Sequence, residues 1–151
     1  MISIIVAMTQ NRVIGANGKI PWKIAGEQKQ FKELTTGKIV VFGRKAFEEI
    51  GKPLPNRKTV IVSSGLKVET ENCTTISNLE YFLVNTDDDI YIAGGAGIYN
   101  AALPYTDVIY LTIVHVDVEG DVYFPEFDTS EWIWEEIETA EMYTRYKLTR
   151  K

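Results

Sequence analysis

Ile90-Tyr91-Ile92-Ala93-Gly94-Gly95-Ala96-Gly97-Ile98-Tyr99 is the stretch that decides the fold class. Ile90–Ala93 is short and apolar and reads as a buried strand. Gly94-Gly95 then opens a helix that runs to about Leu103 and is stopped by Pro104. A strand that passes through glycines straight into a helix belongs to an open α/β sheet, where ligands sit in the crevice beyond the carboxyl ends of the strands. Glycines there let backbone approach a phosphate, and the start of a helix offers free N–H groups. The stretch is not a G-x-G-x-x-G fingerprint, and no acid stands about 20 residues on to take a ribose. A plain glycine-rich tight turn fits it as well.

The pattern repeats on both sides. Ile2–Met8 is nearly all apolar, as expected of a buried central strand, and is followed by a polar loop from Thr9 to Pro21 holding Gly15 and Gly18. A helix is expected from about Gly26 to Thr35, a strand at Ile39–Phe42, and a short helix at Arg44–Ile50 closed by Gly51 and Pro53-Leu54-Pro55. Strand Lys58–Ser64, helix Asn78–Val84 and strand Ile90–Ala93 follow. After Pro104 the rhythm changes to strands alone: Val108–Val116, Trp132–Thr139 and Tyr143–Thr149. Alternating strands and helices imply a mostly parallel sheet covered on both faces, and two terminal strands joined by a short turn imply an antiparallel edge. The expected architecture is therefore α/β: three layers, a mostly parallel mixed sheet with an antiparallel C-terminal edge, and helices on both faces. With 151 residues, and without repeats or linkers, residues 1–151 suit one domain.

Composition excludes several classes of function. Twenty-one acids against 16 bases, a formal charge of −5, argue against a nucleic-acid surface, which needs clustered Lys and Arg. Cys73 is the sole cysteine and His115 the sole histidine, so an internal disulfide, a thiolate metal cluster and a His-rich metal site are all excluded. No metal is expected. The Met1–Met8 run is too short for a signal peptide and no apolar stretch could span a bilayer, so a cytoplasmic protein without a membrane partner is expected, acting as a monomer.

Candidate chemistry gathers at a few positions. On the expected helix, Ile24, Glu27, Phe31 and Leu34 share an apolar face, while Lys29, Lys32 and Glu33 fall elsewhere. An acid on an inward face is a candidate for a shifted pKa and for chemistry. An acid in a first helical turn, favoured by the helix dipole and solvated, fits the spacing equally well. Gly43-Arg44-Lys45 is a second strand-to-helix junction with two cations, and Ser63-Ser64 ends another strand. Together they could hold a phosphate dianion, although each alone also reads as an ordinary polar turn. Arg57 follows the rigid Pro53-Leu54-Pro55-Asn56 segment and could pair with a carboxylate in bidentate fashion.

Taken in order, Val13-Ile14-Gly15, Pro21-Trp22, Glu27 with Phe31-Lys32, Gly43-Arg44-Lys45, Glu48 to Ile50-Gly51, Pro53-Leu54-Pro55 with Arg57, Ser63-Ser64, Gly94-Gly95 with Ile98-Tyr99, Thr112, and Glu119-Gly120-Asp121 with Phe124-Pro125 resemble the dihydrofolate reductase family along almost the whole chain. The resemblance implies NADPH-dependent reduction of 7,8-dihydrofolate, with hydride passing to pterin C6 and a proton reaching N5. It implies catalytic roles for Glu27, Trp22 and Thr112. Glu27 would hold the pterin 2-amino group and N3, with Thr112 on its carboxylate, and would favour N5 protonation by water electrostatically. Ile5, Phe31, Ile50 and Leu54 would pack the substrate. Arg57 would clamp its α-carboxylate, with Lys32 and Lys52 close by.

For the cofactor the resemblance implies Arg44, Ser63 and Ser64 at the 2′-phosphate, beside Gly43, Lys45, Ala46 and Val62. Gly94 and Gly95, joined by a cis peptide in that family, would lie under the nicotinamide and pyrophosphate with Ala96, Gly97, Ile98 and Tyr99. Ala7, Val13, Ile14, Gly15, Gly18 and Lys19 would line the loop side, and that loop would close over the nicotinamide with Asp121 in its supporting segment. Ala25, Gln28, Ala46, Lys52 and Gly97 depart from the frequent residues. The arginine missing at Gly97 bears on how strongly NADPH is preferred over NADH. Rival readings are the riboflavin-pathway reductase of the same fold, which leaves Pro21-Trp22, Glu27 and Arg57 unexplained, and a silent nucleotide-binding module. A signalling receiver, suggested by Asp87-Asp88-Asp89, would need acids at the end of the first strand, where Ile4–Ala7 supplies none.

Overall fold

Strand β1 (Ile2–Met8) is the charge-free run at the amino end, and six of its seven residues are buried. That burial on both faces is possible only in the middle of a covered sheet. The structure, a computed structural model, describes residues 1–15, 20–22, 29–65 and 67–151. Along the described chain follow β2 (Val13–Gly15), α1 (Lys29–Thr35), β3 (Ile39–Gly43), α2 (Arg44–Ile50), β4 (Lys58–Val62), β5 (Glu69–Thr70) and β6 (Cys73–Ile76). Then come α3 (Leu79–Asn85), β7 (Ile90–Ile92), α4 (Ala96–Ala102), β8 (Val108–Val114), β9 (Val122–Tyr123), β10 (Trp132–Thr139) and β11 (Tyr143–Arg150).

Among the described residues, nine strands form one sheet in the order β10-β11-β8-β1-β7-β3-β4-β6-β5. β8, β1, β7, β3, β4 and β6 run parallel, while β11 and β10 continue it antiparallel. This is the expected mixed sheet. The other edge is also antiparallel, through β5 on β6. Neither of those strands is foreseen in the sequence. β5 is two exposed residues and β6 is Cys-Thr-Thr-Ile, too short and too polar to show a period of two. The loop after Thr9 likewise contains β2, which pairs with β9 in a separate two-stranded ribbon. The strand expected to reach Val116 ends at Val114, and the one expected to reach Ser64 ends at Val62. Pro104 lies within a 3-10 turn, Leu103–Tyr105, that follows α4 directly.

Register divides the side chains between two layers. Ile4 lies beside Ile92 and Ile109, Ile92 beside Val41, and Val41 beside Val60, so these share one face. They form a buried cluster with Leu79 and Leu83 of α3 and Tyr99 and Ala102 of α4. Fully burying each such side chain contributes about 1.5–3 kcal/mol. The opposite face carries Ile5, Ala7, Tyr110 and Thr112, and the right-handed sense of parallel crossovers puts α1 and α2 on it. Capping follows local chemistry. The Asn78 side chain accepts from the Tyr81 amide at the start of α3, and Gly51, at φ +82°, ends α2 with its N–H on the Phe47 carbonyl. Among the described residues no helix is long and apolar enough to cross a membrane.

The ribbon of β2 and β9 depends on Gly120. A Cβ there would run into Val13 Cγ1 and the Gly15 carbonyl, and the Asp121 amide donates to that same carbonyl at 3.1 Å. Gly120→Ala is therefore expected to cost about 1–3 kcal/mol in urea unfolding, since backbone on both sides must move. Cys73 provides a second check. It is buried under the sheet edge, and burial, with the nearby Glu69 charge adding to it, pushes its thiol pKa above the ordinary value. Because the folded thiol holds its proton to higher pH than the unfolded one, native protein should resist thiol reagents at neutral pH and react only after unfolding in urea. Rapid labelling of the native chain would contradict that placement.

Candidate active site

Four neighbouring strands deliver their carboxyl ends to one rim. Gly43 at the end of β3 lies beside Val62 of β4, and Ile92 of β7 lies between Ile4 of β1 and Val41 of β3. Beyond Ile4, β1 parts from β7 while staying on β8, and the chain leaves the sheet at Ala93-Gly94, Gly43-Arg44 and Ser63-Ser64 beside it. The Gly43 amide donates to the Gly94 carbonyl at 2.7 Å, which locks two of these junctions together. A Cβ on Gly43 would stand 2.8 Å from Ile98 Cγ1, so glycine permits the approach. The Gly94–Gly95 peptide is cis and Gly94 has φ +121°. Among the described residues, and apart from chain neighbours and its own helix backbone, no atom lies within 4 Å of where a Cβ on Gly95 or Gly97 would stand, which leaves space above this backbone.

Arg44 reaches across the rim. Its Nη1 is 3.7 Å from the Cβ position of Gly65, in the turn where the Gly65 amide donates to Ser63 Oγ at 3.3 Å. Its Nε donates to Glu48 at 2.9 Å in an exposed i,i+4 pair. Such a pair contributes about 0.3–0.5 kcal/mol, too little to hold the guanidinium against a competing anion. Lys45 and Ser64 are exposed beside it, and Ala46, Val62 and Ile98 are half-buried. On the loop side Val13 and Gly15 are buried and Ile14 is half-buried.

A second cluster forms on the α1 face. Arg57 donates from Nε to the Pro55 carbonyl at 2.9 Å and from Nη1 to Thr35 Oγ1 at 3.2 Å, and its guanidinium carbon lies 5.9 Å from the centre of the Phe31 ring. Thr35 is buried at the end of α1 and donates in turn to the Phe31 carbonyl at 2.6 Å. The sequence names Phe31 and Arg57 but not Thr35, which fixes one to the other; a threonine ending a helix carries no mark of that use. Lys32 and Lys52 are exposed, Leu54 is half-buried and Ile50 remains 37% exposed at the end of α2. Thr112 is buried on β8, beside Ala7 on one side and the buried Arg145 on the other.

The Trp22 indole N–H is buried without a partner among the described residues, and Ile20 is 51% exposed. An unpaired buried donor of this kind is a cost unless a ligand or water meets it. Tyr99 stands behind the rim: it is buried, and its hydroxyl donates to the Ile5 carbonyl at 2.8 Å. Glu27, Gly18 and Lys19, with Ile24, Ala25 and Gln28 and the expected helix start at Gly26, lie outside the described residues.

A family model for dihydrofolate reductase matches residues 1–150 of this chain. The chain belongs to the dihydrofolate reductase family. It is 42% identical over 134 residues to the dihydrofolate reductase of Bacillus subtilis, covering 87% of this chain and 80% of that one. It is 45% identical over 134 residues to dihydrofolate reductase type A13 of Escherichia coli, covering 87% and 81%. The dihydrofolate reductase of Haemophilus influenzae is 37% identical over 158 residues, with 99% and 98% covered. Among solved structures, the Enterococcus faecalis dihydrofolate reductase complexed with NADP(H) and RAB-propyl superposes with a TM-score of 0.88 at 31% identity, covering 100% of this chain and 96% of that one.

The rim of this family member makes a direct prediction. Gly43→Ala should weaken the Gly43–Gly94 bond by pushing against Ile98, lowering stability by about 1–3 kcal/mol. Adding Ile98→Ala should return part of that loss, because the added methyl then finds room. A double-mutant cycle in urea that comes out additive would show that the two positions do not press on each other.

Proposed function

We propose that the chain catalyses the NADPH-dependent reduction of 7,8-dihydrofolate to 5,6,7,8-tetrahydrofolate, and so supports one-carbon and thymidylate metabolism. The observation that carries this reading is the separation of the two clusters. Arg57 and Ser63 stand at opposite ends of β4, whose five residues span roughly 3.3 Å each, so that about 20 Å lies between them. A ligand that uses both ends of this face must be elongated. It needs a carboxylate at the Arg57 end, a ring for Phe31, and a partner at the glycine rim that carries phosphate. A pterin joined through an aminobenzoyl ring to glutamate, beside a phosphorylated dinucleotide, has that shape. The names borne by the relatives point the same way.

NADPH, when bound, supplies the hydride that reaches pterin C6. The residues fit it: the open space over Gly95 and Gly97 accepts backbone-close phosphate, and Arg44 with Lys45, Ser63 and Ser64 gathers donors and positive charge where a 2′-phosphate would lie. Ala7, Val13, Ile14 and Gly15 border the same rim. On the substrate, Glu27 holds the 2-amino group and N3, and Thr112 orients that carboxylate. The negative charge of Glu27 favours protonation at N5 by water. The Trp22 indole N–H, unpaired among the described residues, is a donor that can meet substrate or an ordered water. Phe31, Ile50 and Leu54 exclude water from the rings, and Ile5 backs them. Arg57 forks onto the α-carboxylate, and Lys32 and Lys52 add positive field. The protein acts as a monomer on this reading, and both ligands are soluble anions suited to the cytoplasm.

Purified protein should oxidise NADPH only when dihydrofolate is present, followed by the loss of nicotinamide absorbance. Glu27→Ala should lower turnover at neutral pH by roughly 10²-fold or more. NADPH oxidation that ignores dihydrofolate, or an active Glu27→Ala enzyme, would overturn the assignment. Arg44→Ala should raise KM for NADPH about tenfold and leave KM for NADH nearly unchanged, because one charge-assisted contact to the extra phosphate is lost. An equal rise for both cofactors would remove Arg44 from the phosphate.

A further inference from the structure

Arg12 holds a left-handed backbone, φ +69°, a conformation that costs an ordinary L-residue about 1–2 kcal/mol and glycine little. Its side chain uses that position to close a clamp on a segment more than a hundred residues away. The Phe124 amide donates to the Arg12 carbonyl at 2.8 Å, Arg12 Nη1 donates back to the Phe124 carbonyl, and Nη2 reaches Glu126 Oε1 at 3.2 Å. The turn beneath is tied by the buried Thr9: the Arg12 amide donates to its carbonyl at 3.0 Å, and the Val13 amide to its Oγ1 at 3.0 Å. The exposed pair with Glu126 contributes little. The two bonds to Phe124 are the part that fixes position.

Phe124 carries the clamp inward. It is 1% exposed, and its ring centre lies 5.1 Å from that of Tyr99. The Tyr99 hydroxyl, 2.8 Å from the Ile5 carbonyl, also lies 3.5 Å from where a Cβ on Gly94 would stand. Outward, Val13 and Gly15 pair with Tyr123 and Val122. One arginine thus fixes both the strand β2, which ends at Gly15, and the aromatic pair behind Ile5 and Gly94.

We infer that Arg12 is a positioning residue for hydride transfer: by clamping Phe124 it sets together strand β2 at the rim and the Tyr99–Ile5 contact under the site. The inference rests on the reductase function proposed above. It is tested on the full chain with NADPH and dihydrofolate, comparing Arg12→Gly, which keeps the left-handed turn and the backbone bond to Phe124 but removes the side-chain half of the clamp, with Arg12→Lys, which keeps the charge but cannot donate to Phe124 and Glu126 as a planar fork.

Arg12→Gly should lower kcat about tenfold, the scale of small misplacements of reacting groups, with KM for dihydrofolate within about twofold. The deuterium isotope effect on turnover should rise as the hydride step becomes limiting, and Arg12→Lys should recover part of kcat. The Ile5 carbonyl ¹³C resonance should move in Arg12→Gly in the direction it moves in Tyr99→Phe. Wild-type kcat, a loss confined to KM, or an unmoved Ile5 resonance would overturn the role. If Arg12→Gly does not fold, Arg12→Lys and Phe124→Leu are read in the same two ways. A wild-type chain without dihydrofolate-dependent turnover sinks the reductase reading and this role with it; an active wild type with an indifferent Arg12→Gly sinks only the latter.

Discussion

The 2.7 Å hydrogen bond from the Gly43 amide to the Gly94 carbonyl joins two strand-to-helix junctions that are some fifty residues apart in the chain. Its net worth is modest, about 0.5–1.5 kcal/mol, but leaving either buried group unpaired would cost about 1–3. Three conditions have to hold for it to form. β3 and β7 must be neighbours in register, residue 43 must lack a Cβ, and residue 94 must accept a φ of +121°. With the bond in place, Arg44 is aimed at the Ser63–Gly65 turn and the rim becomes one continuous shelf.

Charge is arranged against the grain of the whole molecule. The chain carries a formal −5, yet Arg44 and Lys45 stand at the glycine rim and Arg57 in the second cluster. Acids stand among them, Glu48 on Arg44 and Asp88 in the same pocket as Arg57, while Asp89 takes the amino terminus and Lys38. Cations at the two ends of the face suit ligands that bring phosphate to one end and a carboxylate to the other.

Much of this was legible in the sequence because it depends on local pattern. The unbroken apolar run Ile2–Met8 announces the central strand, and the glycines after Ile90–Ala93 announce the turn into α4. Arg44–Ile50 with Gly51 gives α2 to the residue. What was not legible rests on contacts between distant residues or on very short segments. β5 and β6 are too brief for periodicity and exist because β4 offers them an edge. The Thr35 hydroxyl that anchors Arg57, the clamp from Arg12 to Phe124, and the turn of Tyr99 towards the Ile5 carbonyl are each set by tertiary neighbours 22, 112 and 94 positions away. Residue type alone carries no trace of them. Glu27, the residue on which the chemical argument leans hardest, was reached from helical spacing and resemblance and lies outside the described residues.

β10 closes the sheet on one side, and its sequence, Trp-Ile-Trp-Glu-Glu-Ile-Glu-Thr, looks hazardous for an outermost strand. Ile133, Trp134 and Ile137 are all exposed there. The strand is made safe by its own irregularity: the register shifts between Glu136 and Glu138, and Glu135, Glu136 and Glu138 ride on the same short span. A second copy approaching edge to edge would meet a kinked ladder and a row of like charges. Trp134 is further occupied, with its indole N–H on the Thr129 carbonyl at 3.2 Å and its ring against Tyr146. The margin of this sheet therefore carries, in its kink and its carboxylates, the features that disfavour growth of one sheet onto another.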